Sequence, residues 1–172
     1  EEWGLQGSGA EVERSGGPEG FEAIDPLASF VVGQRGLQRE VETSASRLAH
    51  VTLEAGRMVA SLLLPVSKTD VGGTGTVRRL RCSCNLGGFE ARFCPYHILE
   101  KHLIMVCFDF SINSASDEAW AFPLFPTRTG TTPAKGKAIE GWCSIFDKGP
   151  KATGHSPRRS GAKYYTRLGW SP

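Results

Sequence analysis

Four side chains suited to soft metal ions fall within sixteen residues of one another. They are Cys82, Cys84, Cys94 and His97, in the spacing Cys-x-Cys-x9-Cys-x2-His. Three thiolates and one imidazole form the donor set of a closed tetrahedral zinc site, and one ion holding all four obliges residues 80–100 to close on themselves. Cys-x-Cys is one residue shorter than the usual Cys-x2-Cys and strains one chelate loop, whereas Gly87 and Gly88 leave the intervening turn free to bend. The competing assignment is a set of reduced, partly buried side chains in an intracellular protein. The odd total of five cysteines argues against a complete disulfide framework. His97 also has a place on a helix running from Pro95 to Met105, whose apolar face is Ile98, Leu99, Leu103 and Met105. Cys107 and Cys143 have no partner signature and are expected in the core.

Upstream of the cysteines, the apolar run Met58–Pro65 and the alternating run Val77–Cys82 flank Gly72-Gly73-Thr74-Gly75. That arrangement predicts a β-hairpin. Downstream, a polar loop over 111–117 and a turn over Thr127–Gly130 precede a helix from Ala134 to Phe146, with Pro133 at its start and Lys148-Gly149-Pro150 at its end. An amphipathic helix then continues through Ala162 and ends at Gly169. The predicted class is α+β and mainly helical, with a small antiparallel hairpin or sheet. With 172 residues and 40% apolar content, the chain can bury one core. The expected division is a flexible, acidic, glycine-rich segment over 1–30 and one domain over 31–172, with 80–100 as a zinc-binding insertion. No run of about 18 apolar residues exists, which argues against a membrane span. Residue 1 is glutamate and no basic-then-apolar leader follows, so the sequence is expected to be a fragment at both ends.

The formal net charge of +2 hides an asymmetry. Acidic side chains crowd the first thirty residues, whereas Arg128, Lys135, Lys137, Lys151, Arg158, Arg159, Lys163 and Arg167 make the last third basic. Interleaved with Tyr164, Tyr165 and Trp170, such a cluster can neutralise phosphates and release counterions; a solvated surface would have the same composition.

The basic third contains Gly154-His155-Ser156-Pro157-Arg158-Arg159-Ser160-Gly161-Ala162. His155 and Arg158 are three apart at the mouth of a helix, and so share one face. An imidazole and a guanidinium fork placed there can converge on one phosphate, one handling protons and the other clamping oxygens. This stretch resembles the His-x-x-Arg box of the tyrosine recombinase (phage integrase) family, which reads on through an alanine into a helix ending Leu-Gly. Gly36-Leu37-Gln38-Arg39-Glu40-Val41-Glu42, followed by Ser46 to Val51, is similar to the family's first box. Ala121-Phe122-Pro123-Leu124-Phe125-Pro126 resembles its approach to a short turn. The likeness covers residues 33–170.

The resemblance implies that Arg39 is the first catalytic arginine, with Glu42 as its structural companion. It also implies that Lys68, on the hairpin, is the general acid, and that His155 and Arg158 complete the site. The same four residues are chemically coherent without the family. A phosphodiester needs positive charge at its equatorial oxygens and an acid for the departing alkoxide. The family's tyrosine nucleophile lies well downstream of the box, so Tyr164 and Tyr165 come too early, and the nucleophile is expected beyond Pro172. Arg39 with Glu42 also reads as an exposed helical ion pair. The expected activity is DNA strand breakage and rejoining, with duplex DNA as partner, self-association on that DNA, one structural zinc, no cofactor required for the chemistry, and an intracellular location, nuclear in a eukaryote. The alternative is a noncatalytic, zinc-stabilised DNA-binding or interaction remnant.

Overall fold

The computed structural model describes residues 25–64, 75–113, 116–146 and 151–170. Lys68 and most of the acidic lead-in lie outside them. The fold is a mixture of helix and a small antiparallel sheet, and helix predominates.

Helix α1 (Pro26–Arg35) begins before the expected domain boundary, for local reasons. Asp25 accepts the Ala28 N–H at 2.8 Å, and Pro26 occupies the first turn, where its missing N–H costs nothing. Ala28 and Val32 then enter the main core while Phe30 enters a second one, so residues 26–30 belong to the folded body. Helix α2 (Glu40–Ala45) follows after the turn at Gly36.

Strands β1 (Val51–Glu54), β2 (Val59–Leu64) and β3 (Thr76–Arg81) form one antiparallel sheet in that order. Val51 pairs with Leu62, and Leu64 with Thr76, so the expected hairpin is β2–β3 and residues 65–74 join its ends. Ala60, Leu62, Leu64 and Leu80 face the core; Val77, Arg79 and Arg81 alternate outward.

After the short α3 (Gly88–Arg92) comes α4 (Pro95–Asp109), the longest helix, which extends past the predicted end at Met105. Leu99, Leu103 and Val106 form its buried stripe against α1 and the sheet. His102 lies in that stripe, fully buried, with its Nε2 2.7 Å from the Leu124 carbonyl and its ring against Phe125. Helix α5 (Asp117–Ala121) leads to the Pro123–Pro126 segment. Helix α6 (Lys135–Ser144) is shorter than predicted. Ala134 is extended at ψ 149°, so Pro133 precedes the cap instead of opening the helix. Trp142 on α6 is buried against Phe30 and donates its indole N–H to Ser29 Oγ at 2.9 Å.

Helix α7 (Ser156–Arg167) packs lengthwise on α1. Gly161 allows the contact. A Cβ there would lie 2.0 Å from the Gln34 carbonyl oxygen, a backbone atom that cannot move aside. The helix closes as expected, with Gly169 at φ 83°.

Candidate functional site

The Cys/His side chains converge. Sγ of Cys82, Cys84 and Cys94 and a ring nitrogen of His97 all lie within 4.8 Å of one another, and together they can hold a metal ion. Cys82 follows β3 directly, Cys84 opens a short 3-10 turn, Cys94 caps α4, and His97 sits one turn inside it. His97 thus occupies both of its expected places, on the helix and in the cluster. Its Nδ1 is 3.2 Å from Cys84 Sγ and 3.8 Å from Cys82 Sγ. A tetrahedral zinc site, with Zn–S near 2.3 Å and Zn–N near 2.0 Å, requires an S···N separation of about 3.5 Å, which these two distances bracket. Positive φ at Gly87 (68°) and Gly88 (52°) turns the chain back between the two cysteine groups.

The electrostatics also favour a cation. Burial pushes the Cys94 thiol up, but the backbone N–H groups of His97 and Ser83, the latter 3.3 Å from Sγ, and the side chains of His97 and Cys82 outweigh it and bring the pKa down to about 6. Cys84 moves the other way, to about 11, because its hydrogen bond with Cys82 and the neighbouring thiols favour its neutral form. Without a cation, thiols this close cannot all ionise. A divalent ion held by these four side chains would remove that conflict and keep the thiols deprotonated together.

Among the residues assigned to phosphate chemistry, Arg39 caps α2. Its Nη2 and Nε donate to Glu42 Oε1 at 2.7 and 3.2 Å, while Glu42 Oε2 accepts the Arg39 backbone N–H at 2.8 Å. Glu42 retains only 4% side-chain exposure, so the pair is not the solvent-exposed one that composition also allowed. The next residue, Glu40, donates its backbone N–H to the Gly154 carbonyl at 3.0 Å, which sets the start of α2 against the approach to His155. Burial alone would raise the Glu40 pKa. Its bond to Lys135 Nζ at 3.0 Å, its own backbone amide, and the charges of Lys135 and His155 bring it below the usual value. His155 caps α7, and Arg158 lies on its first turn; both side chains are exposed. Lys68 lies outside the described residues, between strands that are described.

Sequence reasoning missed Glu40, Lys135 and a buried group around Arg35. The Arg35 Nη2 donates to Glu90 Oε2 at 2.5 Å, its guanidinium lies 3.5 Å from the Tyr164 ring centroid, and its carbonyl accepts the Tyr165 hydroxyl at 2.8 Å. No spacing rule links positions so far apart in the chain. All three tyrosines are engaged: Tyr164 and Tyr165 with Arg35, and Tyr96 through its hydroxyl to Glu100 at 3.1 Å.

No protein-family model matches the chain, and no curated protein matches it. No helix among the described residues is long and apolar enough to cross a membrane.

Proposed function

We propose that the chain handles duplex DNA through a phosphate site of the tyrosine recombinase type, and that the Cys/His cluster holds one structural zinc ion. The observation that carries the DNA reading is the bond from Glu40 N–H to the Gly154 carbonyl, which joins the first box to the His-x-x-Arg box across most of the chain. Arg39 and Arg158 then supply fork-shaped donors to one phosphate, His155 handles a proton, and Lys68 protonates the departing alkoxide. The hydroxyls of Tyr96 and Tyr165 are held by Glu100 and the Arg35 carbonyl, and the Tyr164 ring lies against the Arg35 guanidinium. The donor set supports zinc, because three thiolates and an imidazole suit a closed tetrahedral ion and leave no open position for chemistry. The same cluster favours a second reading, a noncatalytic DNA-binding module that the metal stabilises.

Orthovanadate separates the two. It adopts the trigonal-bipyramidal shape of a phosphoryl group in transit, and a site built for that geometry binds it more tightly than ground-state phosphate. Vanadate should tighten binding of a nicked duplex to the wild-type chain and have no effect on Arg39→Ala or Arg158→Ala. A wild-type affinity unchanged by vanadate would reject the catalytic geometry in favour of the binding module.

A further inference from the structure

The segment between the first and last thiol has little apolar anchorage of its own. Neither the turn Cys84–Leu86 nor α3 buries a residue, Leu86 is exposed, and Phe89, also largely exposed, meets Phe93 at the end of the same short segment. A five-residue helix has no independent stability in water. What ties α3 to the metal ligands and to α1 is polar. Ser83 donates its N–H to Cys94 Sγ at 3.3 Å and its hydroxyl to the Glu90 carbonyl at 2.7 Å, and Glu90 reaches Arg35.

Arg35 is the other half of the joint. Its side chain is 4% exposed, its Nε has no hydrogen-bond partner among the described residues, and its charge is balanced by Glu90 on one side while Tyr164 covers one face of the guanidinium. A buried guanidinium that loses its carboxylate is strongly unfavourable, so any movement of α3 is felt at α1 and at Tyr164 on α7. Helix α7 carries His155 and Arg158.

We propose that Glu90 is a positioning residue through which metal occupancy of the Cys82–Cys84–Cys94–His97 cluster sets how firmly α7 is held on α1. The inference rests on the metal reading of the cluster and not on the DNA reading. With the ion bound, the thiols fix Ser83 and α3, Glu90 neutralises Arg35, and Tyr164 and Tyr165 keep their places. When the ion is withdrawn, α3 drifts, the Arg35 charge is stranded, and α7 loosens with the residues it carries.

Hydrogen exchange of the α7 amides, read with zinc bound and after chelation, tests this, with zinc content measured on the same samples. In the wild-type chain, chelation should speed α7 exchange at least tenfold. Glu90→Gln should retain one zinc, exchange rapidly at α7 even when loaded, and show no further change on chelation. Should that variant fail to fold, Arg35→Met combined with Glu90→Gln removes both charges together and should fold, bind zinc and lack the response. Wild-type α7 exchange that ignores zinc overturns the coupling, as does a Glu90→Gln or double variant that responds like wild type. A purified chain that binds no zinc overturns the metal reading itself, and the zinc measurement distinguishes that failure from the others.

Discussion

Gly161 and Gly136 make opposite predictions for the same substitution. Both are helical, and alanine is intrinsically better than glycine in a helix by up to about 1 kcal/mol. At Gly136 a methyl group meets nothing within 4 Å, so Gly136→Ala should stabilise the chain by about 0.5 kcal/mol in urea unfolding. At Gly161 it would meet the Gln34 carbonyl oxygen at 2.0 Å, which forces α7 off α1, so Gly161→Ala should cost about 3 kcal/mol. His102 gives a second prediction at this scale. Burial depresses its pKa, while Asp25 and the Leu124 carbonyl act in the other direction. At 3.9 Å the Asp25 carboxylate is too far to fix a proton on Nδ1, so the ring is neutral and donates through Nε2. The unfolded ring therefore takes up a proton first as pH falls, and the stability that the neutral ring contributes is present above about pH 6.5 and lost below it. His102→Gln should flatten the dependence of unfolding free energy on pH between about 7.5 and 5.5; an unchanged slope would show that another group titrates.

At the scale of elements, local chemistry located the hairpin, the C-terminal helix and the cysteine cluster but misjudged helix ends, since Pro133 precedes the α6 cap and α4 runs on past Met105. The hairpin was legible because the apolar run Met58–Pro65 and the alternating run Val77–Cys82 flank a glycine-rich stretch, and β2 pairs with β3 over those runs. The C-terminal helix was legible because its amphipathic pattern runs to Gly169, which closes it. The cysteine spacing was legible as a cluster because its members lie close in the chain, and a short loop needs little entropy to close. Two things were hidden. Helix α1 lacks a clean polar face, since its side chains enter two cores, so no 3.6-residue pattern set it apart from the lead-in. The Arg35–Glu90–Tyr164 group depends on how three helices meet, and no residue in it announces a partner in sequence. The elements also differ in what metal removal should do. Strands β1 and β2 are fixed by Val51, Ala60 and Leu62 in the core, so chelation should leave their exchange slow while the region from Cys82 to His97 becomes fast. Equal acceleration in both would mean that the cluster stabilises the whole fold.

For the molecule as a whole, the exposed cations of α7, Arg158, Arg159, Lys163 and Arg167, lie on a helix whose N-terminus also meets the α2 junction. Duplex binding through such a surface releases counterions, so the affinity should fall steeply between about 50 and 200 mM salt, and removing Lys163 should reduce the salt slope by about one. The most direct test of the account asks whether Arg39 and Arg158 act on one phosphate. Duplex affinities of the wild type, Arg39→Ala, Arg158→Ala and the double variant, at one salt concentration, form a double-mutant cycle. A shared phosphate predicts that the double variant loses less than the sum of the single losses, with a coupling of about 1 kcal/mol or more. Strictly additive losses, the behaviour of two arginines on separate phosphates, would contradict the single site on which the proposed function depends.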